Sequence, residues 1–103
     1  MGTTIRLPAG HELREPRPGR YVVVDTAWKV ASPPGLYEVL TEVGPEVVRL
    51  EAIGGRPVKV RMWRDDPDDA REVLASDVTV VGRVVAEFTP LHGGWLKIGD
   101  ASR

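Results

Sequence analysis

The sequence predicts a single all-β domain, a small and strongly bent β-sandwich or open barrel of about six to eight strands. Valine, a β-branched residue that fits a pleated sheet, occurs 16 times among the 103 residues. Eleven glycines and nine prolines divide the chain into short segments. No window of about 11 or more residues combines apolar positions at helical spacing with capping signals. Together these observations favour strands joined by tight turns.

Apolar runs and alternating segments locate the strands. Pro18-Gly19 precedes an apolar run that is typical of a buried strand, and Gly54-Gly55 is a two-residue hairpin signal. Gly82 interrupts the longest apolar segment, where a bulge or bend is expected. The polar stretch 65–69 is a turn, and 68–74 has room for one helical turn at most. The expected strands are 21–26, 36–42, 47–53, 57–63, 78–88 and a short final one at 95–98.

Composition sets the broad class of protein. The chain has 14 basic and 15 acidic residues, and this balance argues against direct nucleic acid binding, which needs a concentrated basic face. No apolar run is long enough for a membrane span, and residues 1–10 lack the apolar core of a secretory signal. The absence of cysteine excludes disulfides and thiol nucleophiles, so a cytoplasmic location is expected. One domain over 1–103 is expected, with its core at about 5–91 and a loose tail at 99–103.

The residues that could perform chemistry do not form a recognisable active site. The serines, Ser32, Ser76 and Ser102, occupy turn or terminal settings without a nucleophile motif. His11 and His92 are far apart in sequence and belong to no cluster with metal-ligand spacing. We therefore expect no cofactor and no metal site.

Two other groups of residues have ordinary structural interpretations. The acidic group at 65–69 contains Pro67 and lacks the central glycine and distal glutamate of a calcium loop, so a solvated turn is expected. Trp28, Trp63 and Trp95 are scattered along the chain, which is typical of core or interface residues.

Four segments together resemble a known family. They are PGRYVVVDT at 18–26, SPPGLYEV at 32–39, EVVRLE at 46–51 and VVGRVV at 80–85. In order and spacing they are similar to the C-terminal domain of LexA-like phage repressors, which are self-cleaving serine/lysine peptidases. The resemblance covers about residues 5–91 and implies a small, strongly bent β-structure.

The same resemblance implies that the peptidase activity is lost. His11 falls at the position of the family's nucleophilic serine, unless that serine lies off the chain altogether. Val48 falls at the position of the general-base lysine, and the adjacent Arg49 stays protonated and cannot replace it. The chain also lacks the helix-turn-helix with which such repressors bind DNA. We therefore expect a non-enzymatic protein with degenerate dyad positions at His11 and Val48.

The family's remaining activity is association of subunits. The matching strand residues are Gly82, Val84, Val85 and Phe88, and they are the predicted interface of a homodimer or of a complex with a repressor-like protein. The simpler interpretation of the same strand is an interior strand without an interface. Two other functions remain open: a ligand- or peptide-binding β-domain that uses the remnant groove beside His11 and Val48, and a residual His11-based hydrolase with Glu12 or Asp25 as its orienting group.

Overall fold

The computed structural model describes residues 7–90 and 96–99. It confirms the all-β fold class, since every strand pair is antiparallel and the helices within these ranges are two 3-10 helices, Pro67–Asp69 and Ala75–Asp77. The eight strands are β1 (His11–Arg17), β2 (Arg20–Asp25), β3 (Gly35–Thr41), β4 (Gly44–Gly54), β5 (Lys59–Trp63), β6 (Arg71–Leu74), β7 (Thr79–Pro90) and β8 (Leu96–Gly99).

All strands belong to one sheet with the order β1-β2-β7-β3-β4-β5-β6, and β8 adds to β7. Although β7 comes near the end of the sequence, it is inserted between β2 and β3, so it ties the two halves of the sheet together. The short hairpin turns between β1 and β2 and between β3 and β4 follow from Gly19 and Gly44, which both have positive φ.

Two segments differ from the sequence-based expectations. Strand β1 was not expected, because HELREPR is mostly charged and contains a proline, but these are the residues that protect an exposed sheet edge from further pairing. For 68–74 the sequence allowed one helical turn at most and predicted no strand, so β6 was also not expected. A 3-10 helix occupies Pro67–Asp69, with Asp66 as its cap, and β6 follows immediately. The other strands lie close to their predicted positions, β8 included.

The two faces of the sheet carry separate hydrophobic clusters. On one face, here called the cleft face, Val22, Val24, Leu36 and Val84 are buried, and Val47 packs against them. On the opposite face, here called the covered face, the buried cluster is Tyr37, Val39, Val48 and Leu50, and side chains that include Trp28, Ala31 and Met62 cover it. Because successive residues of a strand point to opposite faces, neighbours such as Val47 and Val48 belong to different clusters.

The sheet curls toward the cleft face. Arg14 on β1 forms an ion pair of 3.0 Å with Glu38 on β3, although β2 and β7 lie between them. At the mouth of the curl, Arg17 at the end of β1 contacts Asp65, just after β5, at 2.9 Å. Strands that are far apart in the sheet therefore approach one another, and the sheet has the shape of an open barrel, as the sequence predicts.

At Gly82, β7 lies close against β2. A Cβ atom there would lie 2.5 Å from the carbonyl oxygen of Asp25 and 2.5 Å from Val24 Cγ1. The pairing of β3 with β7 shifts register beside Gly82, which confirms the bulge expected at this position.

Candidate binding cleft

A cleft of about 420 Å³ lies on the cleft face, inside the curl of the sheet. Its apolar floor is formed by Val22, Leu36 and Val47 from β2, β3 and β4. Five arginines and four acidic residues surround this floor: Arg14, Arg17, Arg20, Arg49, Arg64, Glu15, Glu38, Glu46 and Asp65. A concave site of a few hundred Å³ with apolar walls and a few convergent charges has the size and composition of a ligand-binding cleft.

The deepest charges in the cleft are paired. Glu38 follows Leu36 by two residues on β3, so its carboxylate points to the same face, where it is only 3% exposed. The Nε of Arg14 donates to this carboxylate, and its Nη2 donates to Glu12. The hydrogen bond to Glu12, together with the negative charge of Glu38, raises the pKa of Arg14 above its ordinary value. This ion pair stabilises the wall between β1 and β3.

Three further arginines at the rim also have acidic partners. Arg17 pairs with Asp65, Arg20 with Glu87, and Arg64 with Glu46. Both carboxylate oxygens of Glu46 accept hydrogen bonds from Arg64, and these bonds lower the pKa of Glu46 below its ordinary value. The charge of each of these arginines is therefore compensated within the chain.

Arg49 is the exception. It is the register partner of Leu36, so its side chain lies on the cleft face, and it is half-buried there. Among the described residues no carboxylate forms an ion pair with it, whereas the other four arginines of the cleft all have one. The cleft thus contains one uncompensated cation beside an apolar floor, and such a cation attracts an anionic group.

The structure does not bring the two predicted dyad positions together. The residues His11, Asp25, Arg83, Tyr37 and Val48 are successive register partners on β1, β2, β7, β3 and β4. The two end positions are therefore separated by four strand spacings, roughly 19 Å along the sheet. Neither His11 nor Val48 lines the cleft, and the Nδ1 of His11 contacts the carbonyl oxygen of Ala9 at 3.2 Å. The cleft is therefore not the groove beside His11 and Val48 that the sequence suggested.

The four predicted interface residues lie on the central strand β7. Val84 is fully buried on the cleft face, and Phe88 is 4% exposed on the other face. Gly82 is enclosed by Asp25 and Val24, and only Val85 is half-buried. Three of the four are thus covered by this chain, as the simpler interpretation of an interior strand requires, and association through this strand stays a prediction.

Two acidic side chains of the turn at 65–69 form contacts within the chain. Asp65 pairs with Arg17, and the side chain of Asp66 accepts a hydrogen bond from the backbone N–H of Asp68. No group of three or more possible metal-ligating side chains occurs within the ranges 7–90 and 96–99. His92, Trp95 and Ser102 lie outside the described residues.

Sequence reasoning identified only parts of the cleft. The alternation of 36–42 places Leu36 and Glu38 on one side, and Arg49 was noted next to the degenerate lysine position.

Comparison with protein families, curated proteins and solved structures gives no match for this chain. No helix among residues 7–90 and 96–99 is long and apolar enough to cross a membrane.

Proposed function

We propose that this chain is a non-catalytic binding domain that holds an acidic segment of a partner protein in its cleft. The observation that carries the proposal is Arg49, which is half-buried, has no ion pair among the described residues and lines the same cleft as the apolar floor. A glutamate or aspartate of the partner supplies the missing charge in a two-pronged hydrogen bond with Arg49. An apolar side chain two residues away in the extended segment points to the same side and packs on Val22, Leu36 and Val47.

The composition of the cleft favours a peptide over a highly charged ligand. The four paired arginines leave little net positive charge, so one carboxylate suffices to balance the site. Burial of a neighbouring aliphatic side chain on the apolar floor contributes about 25 cal/mol to the binding free energy per Å² of surface removed from water. A short extended segment that carries an acidic and an aliphatic residue two positions apart meets both requirements, because side chains at positions i and i+2 point to the same side.

The resemblance to LexA-like repressors supports a regulatory role for this binding, with a repressor-like protein as the partner and the cytoplasm as its location. The proposal includes no peptidase step, since valine at position 48 has no proton-accepting atom and His11 lies away from the cleft. It also requires no direct contact with nucleic acid. The cleft supports this role better than β7 does, because the apolar residues of β7 are largely buried.

The test uses a fluorescein-labelled peptide in which glutamate and valine are each separated by a single serine, so that both side chains point to the same side of the extended segment. The same peptide with glutamine in place of glutamate is its matched control. We expect saturable binding of the glutamate peptide by fluorescence anisotropy and at least about tenfold weaker binding of the glutamine peptide, since a charge-assisted pair contributes about 1.5 kcal/mol or more. Arg49→Gln removes this preference. Arg71→Gln, which changes an exposed arginine on β6 outside the cleft, leaves it intact.

Equal affinity for the two peptides, or an Arg49→Gln variant that keeps the preference for glutamate, would contradict the proposal. Far-UV circular dichroism of each variant establishes that the fold is retained. The non-catalytic part is tested separately: after long incubation with the glutamate peptide, mass spectrometry should show intact protein and intact peptide. Any cleavage product would refute it.

A further inference from the structure

Arg83, on the covered face, is a second arginine that is not exposed and has no ion pair among the described residues. It is only 7% exposed. Among those residues, its Nε is the one buried side-chain nitrogen or oxygen that has no hydrogen-bond partner. A buried charge without a partner is costly, so native proteins rarely retain one without a reason.

Two aromatic rings flank the guanidinium. The Cζ of Arg83 lies 4.7 Å from the centroid of the Trp28 ring and 5.9 Å from that of Tyr37. Both rings are held in place, since Trp28 Nε1 donates to the carbonyl of Ser32 at 3.0 Å and the Tyr37 hydroxyl donates to that of Pro33. Cation–π contact recovers part of the desolvation cost, but it leaves the N–H donors at the edge of the guanidinium without acceptors.

The nearest carboxylate along the sheet is not used for this purpose. Asp25 is the register partner of Arg83 on β2, yet its Oδ1 accepts the backbone N–H of Ala27 at 3.0 Å and helps to position the segment that carries Trp28. It forms no ion pair with Arg83. Asp25 is therefore next to Arg83 in the sheet, but its carboxylate accepts a backbone N–H and does not pair with the guanidinium.

On the other side, β3 begins with Gly35, whose lack of a side chain leaves space at the guanidinium edge. A Cβ at this position would lie 3.5 Å from Nη2 of Arg83 and 3.8 Å from its Nε. The rings of Trp28 and Tyr37 restrict approach from the faces of the guanidinium. Gly35 thus marks the side from which an acceptor can approach the free donors.

We propose that Arg83, flanked by Trp28 and Tyr37 and approached over Gly35, binds a single oxyanion, a carboxylate or a phosphate group. This site is on the opposite face of the sheet from the cleft and does not depend on the function proposed for the cleft. The fixed rings orient the guanidinium before the ligand arrives, and its planar donors match two oxygens of either group. A carboxylate and a phosphate group would both contact the guanidinium through two oxygens. The experiment distinguishes which of the two binds.

The test follows the side-chain N–H signal of Arg83 and the indole signal of Trp28 by ¹⁵N NMR. Sodium phosphate and sodium acetate are titrated separately against sodium chloride at matched ionic strength. We expect saturable shifts of both signals with phosphate or acetate and none with chloride. The oxyanion that saturates identifies the source, whereas an absence of saturation with both, or an equal response to chloride, overturns the proposal.

Two test variants, Gly35→Ala and Arg83→Lys, and one control, Arg71→Gln, make the result specific. Gly35→Ala adds a Cβ in ordinary van der Waals contact with Arg83, so the fold should be kept while the approach to Nη2 is narrowed. We expect at least about fivefold weaker binding of the oxyanion by this variant. Arg71→Gln should bind as the unmodified chain does. Unchanged affinity in Gly35→Ala, with the fold retained by circular dichroism, would show that the oxyanion binds elsewhere. Arg83→Lys, which lacks the planar fork, should lose the saturable Trp28 response.

Discussion

The cleft face and the covered face of this sheet differ in how many charged side chains they carry and in how those charges are compensated. On the cleft face, charged side chains are common, and acidic partners within the chain compensate nearly all of its arginines. On the covered face the cluster is apolar, and its one buried arginine is flanked by aromatic rings. Each face nevertheless keeps one arginine that is buried or half-buried and has no ion pair among the described residues, Arg49 on the cleft face and Arg83 on the covered face. We infer that an arginine without local charge compensation, and not the total charge of the chain, marks each of the two proposed anion sites.

The largest expected effect comes from placing a charge on each face at adjacent positions. Val48→Lys would restore the residue type of the family's general base, but Val48 is 1% exposed inside the covered cluster. We expect a loss of about 4 kcal/mol in the free energy of unfolding, because a fully buried lysine shifts its pKa by about three units at about 1.36 kcal/mol per unit. Urea denaturation at neutral pH measures this loss.

Val47→Lys is the matched control on the cleft face. Val47 is half-buried beside an open cleft, so a lysine there can extend its amine to water, and we expect a loss of about 1 kcal/mol. Similar losses in the two variants would show that the two faces do not differ as described. A Val48→Lys protein as stable as the unmodified chain would show that the side chain at position 48 reaches solvent, contrary to its burial in the covered cluster.

The second prediction concerns the contact that holds β2 against β7. In Gly82→Ala the new Cβ would lie 2.5 Å from the Asp25 carbonyl oxygen, so backbone must move. We expect a loss of about 3 kcal/mol in stability, measured by urea denaturation. Gly35→Ala, where the nearest atom is a side-chain nitrogen at 3.5 Å, should change stability by about 1 kcal/mol or less. Equal effects of the two alanines would contradict the close approach at Gly82.

Sequence patterns predicted most of the strands because valine runs and glycine turns are local signals. The alternation of 36–42 even predicted that neighbouring residues of β3 point to opposite faces. The partners of each strand were not predictable in this way, since β7 is inserted between β2 and β3 by contacts between residues far apart in the sequence. Val84 and Phe88 were expected at an interface because the family resemblance implies one; both are buried within the chain's own sheet, and association through them stays a prediction.

The candidate sites were harder to predict than the fold. Nothing near position 49 in the sequence shows that Arg49 lacks an acidic partner, because that depends on which carboxylates the curled sheet brings near it. The Arg83 site likewise needs Trp28, Tyr37 and Gly35 to meet a strand that begins more than 40 residues later. The resemblance directed attention to His11 and Val48, but four strand spacings separate these two positions.

The third prediction compares a buried ion pair of the cleft with an exposed one. Glu38→Gln removes a carboxylate that is 3% exposed and accepts from Arg14. We expect a loss of about 1–2 kcal/mol, because Arg14 is partly exposed and keeps Glu12 as a partner. Glu51→Gln breaks the exposed pair with Arg61 and should cost less than about 0.5 kcal/mol. If Glu51→Gln is the more damaging substitution in thermal or urea denaturation, the cleft is not held together by Arg14 and Glu38.

The smallest predicted effect is a change with pH at the rim of the cleft. Hydrogen bonds from Arg64 lower the pKa of Glu46 in the folded state below its ordinary value of 4.5. A carboxylate with a lowered pKa stabilises the fold above its unfolded-state pKa, and this contribution is lost as the pH falls through the folded-state pKa. Glu46→Gln should therefore flatten the fall in stability below about pH 4.5, by less than about 1 kcal/mol because Arg64 is half exposed.

The measurement for Glu46 is urea denaturation at pH 6 and pH 3.5, values that lie on either side of its ordinary pKa. Glu72→Gln, an exposed carboxylate on β6 without an ion pair among residues 7–90 and 96–99, is the control and should leave the pH dependence unchanged. The sign is the decisive quantity. The free energy of unfolding that is lost on Glu46→Gln should be larger at pH 6 than at pH 3.5. If the loss were larger at pH 3.5, Arg64 would not be stabilising the ionised carboxylate. Ion pairing within the chain, which distinguishes the cleft face from the covered face, would then not stabilise the fold at the solvent-exposed rim.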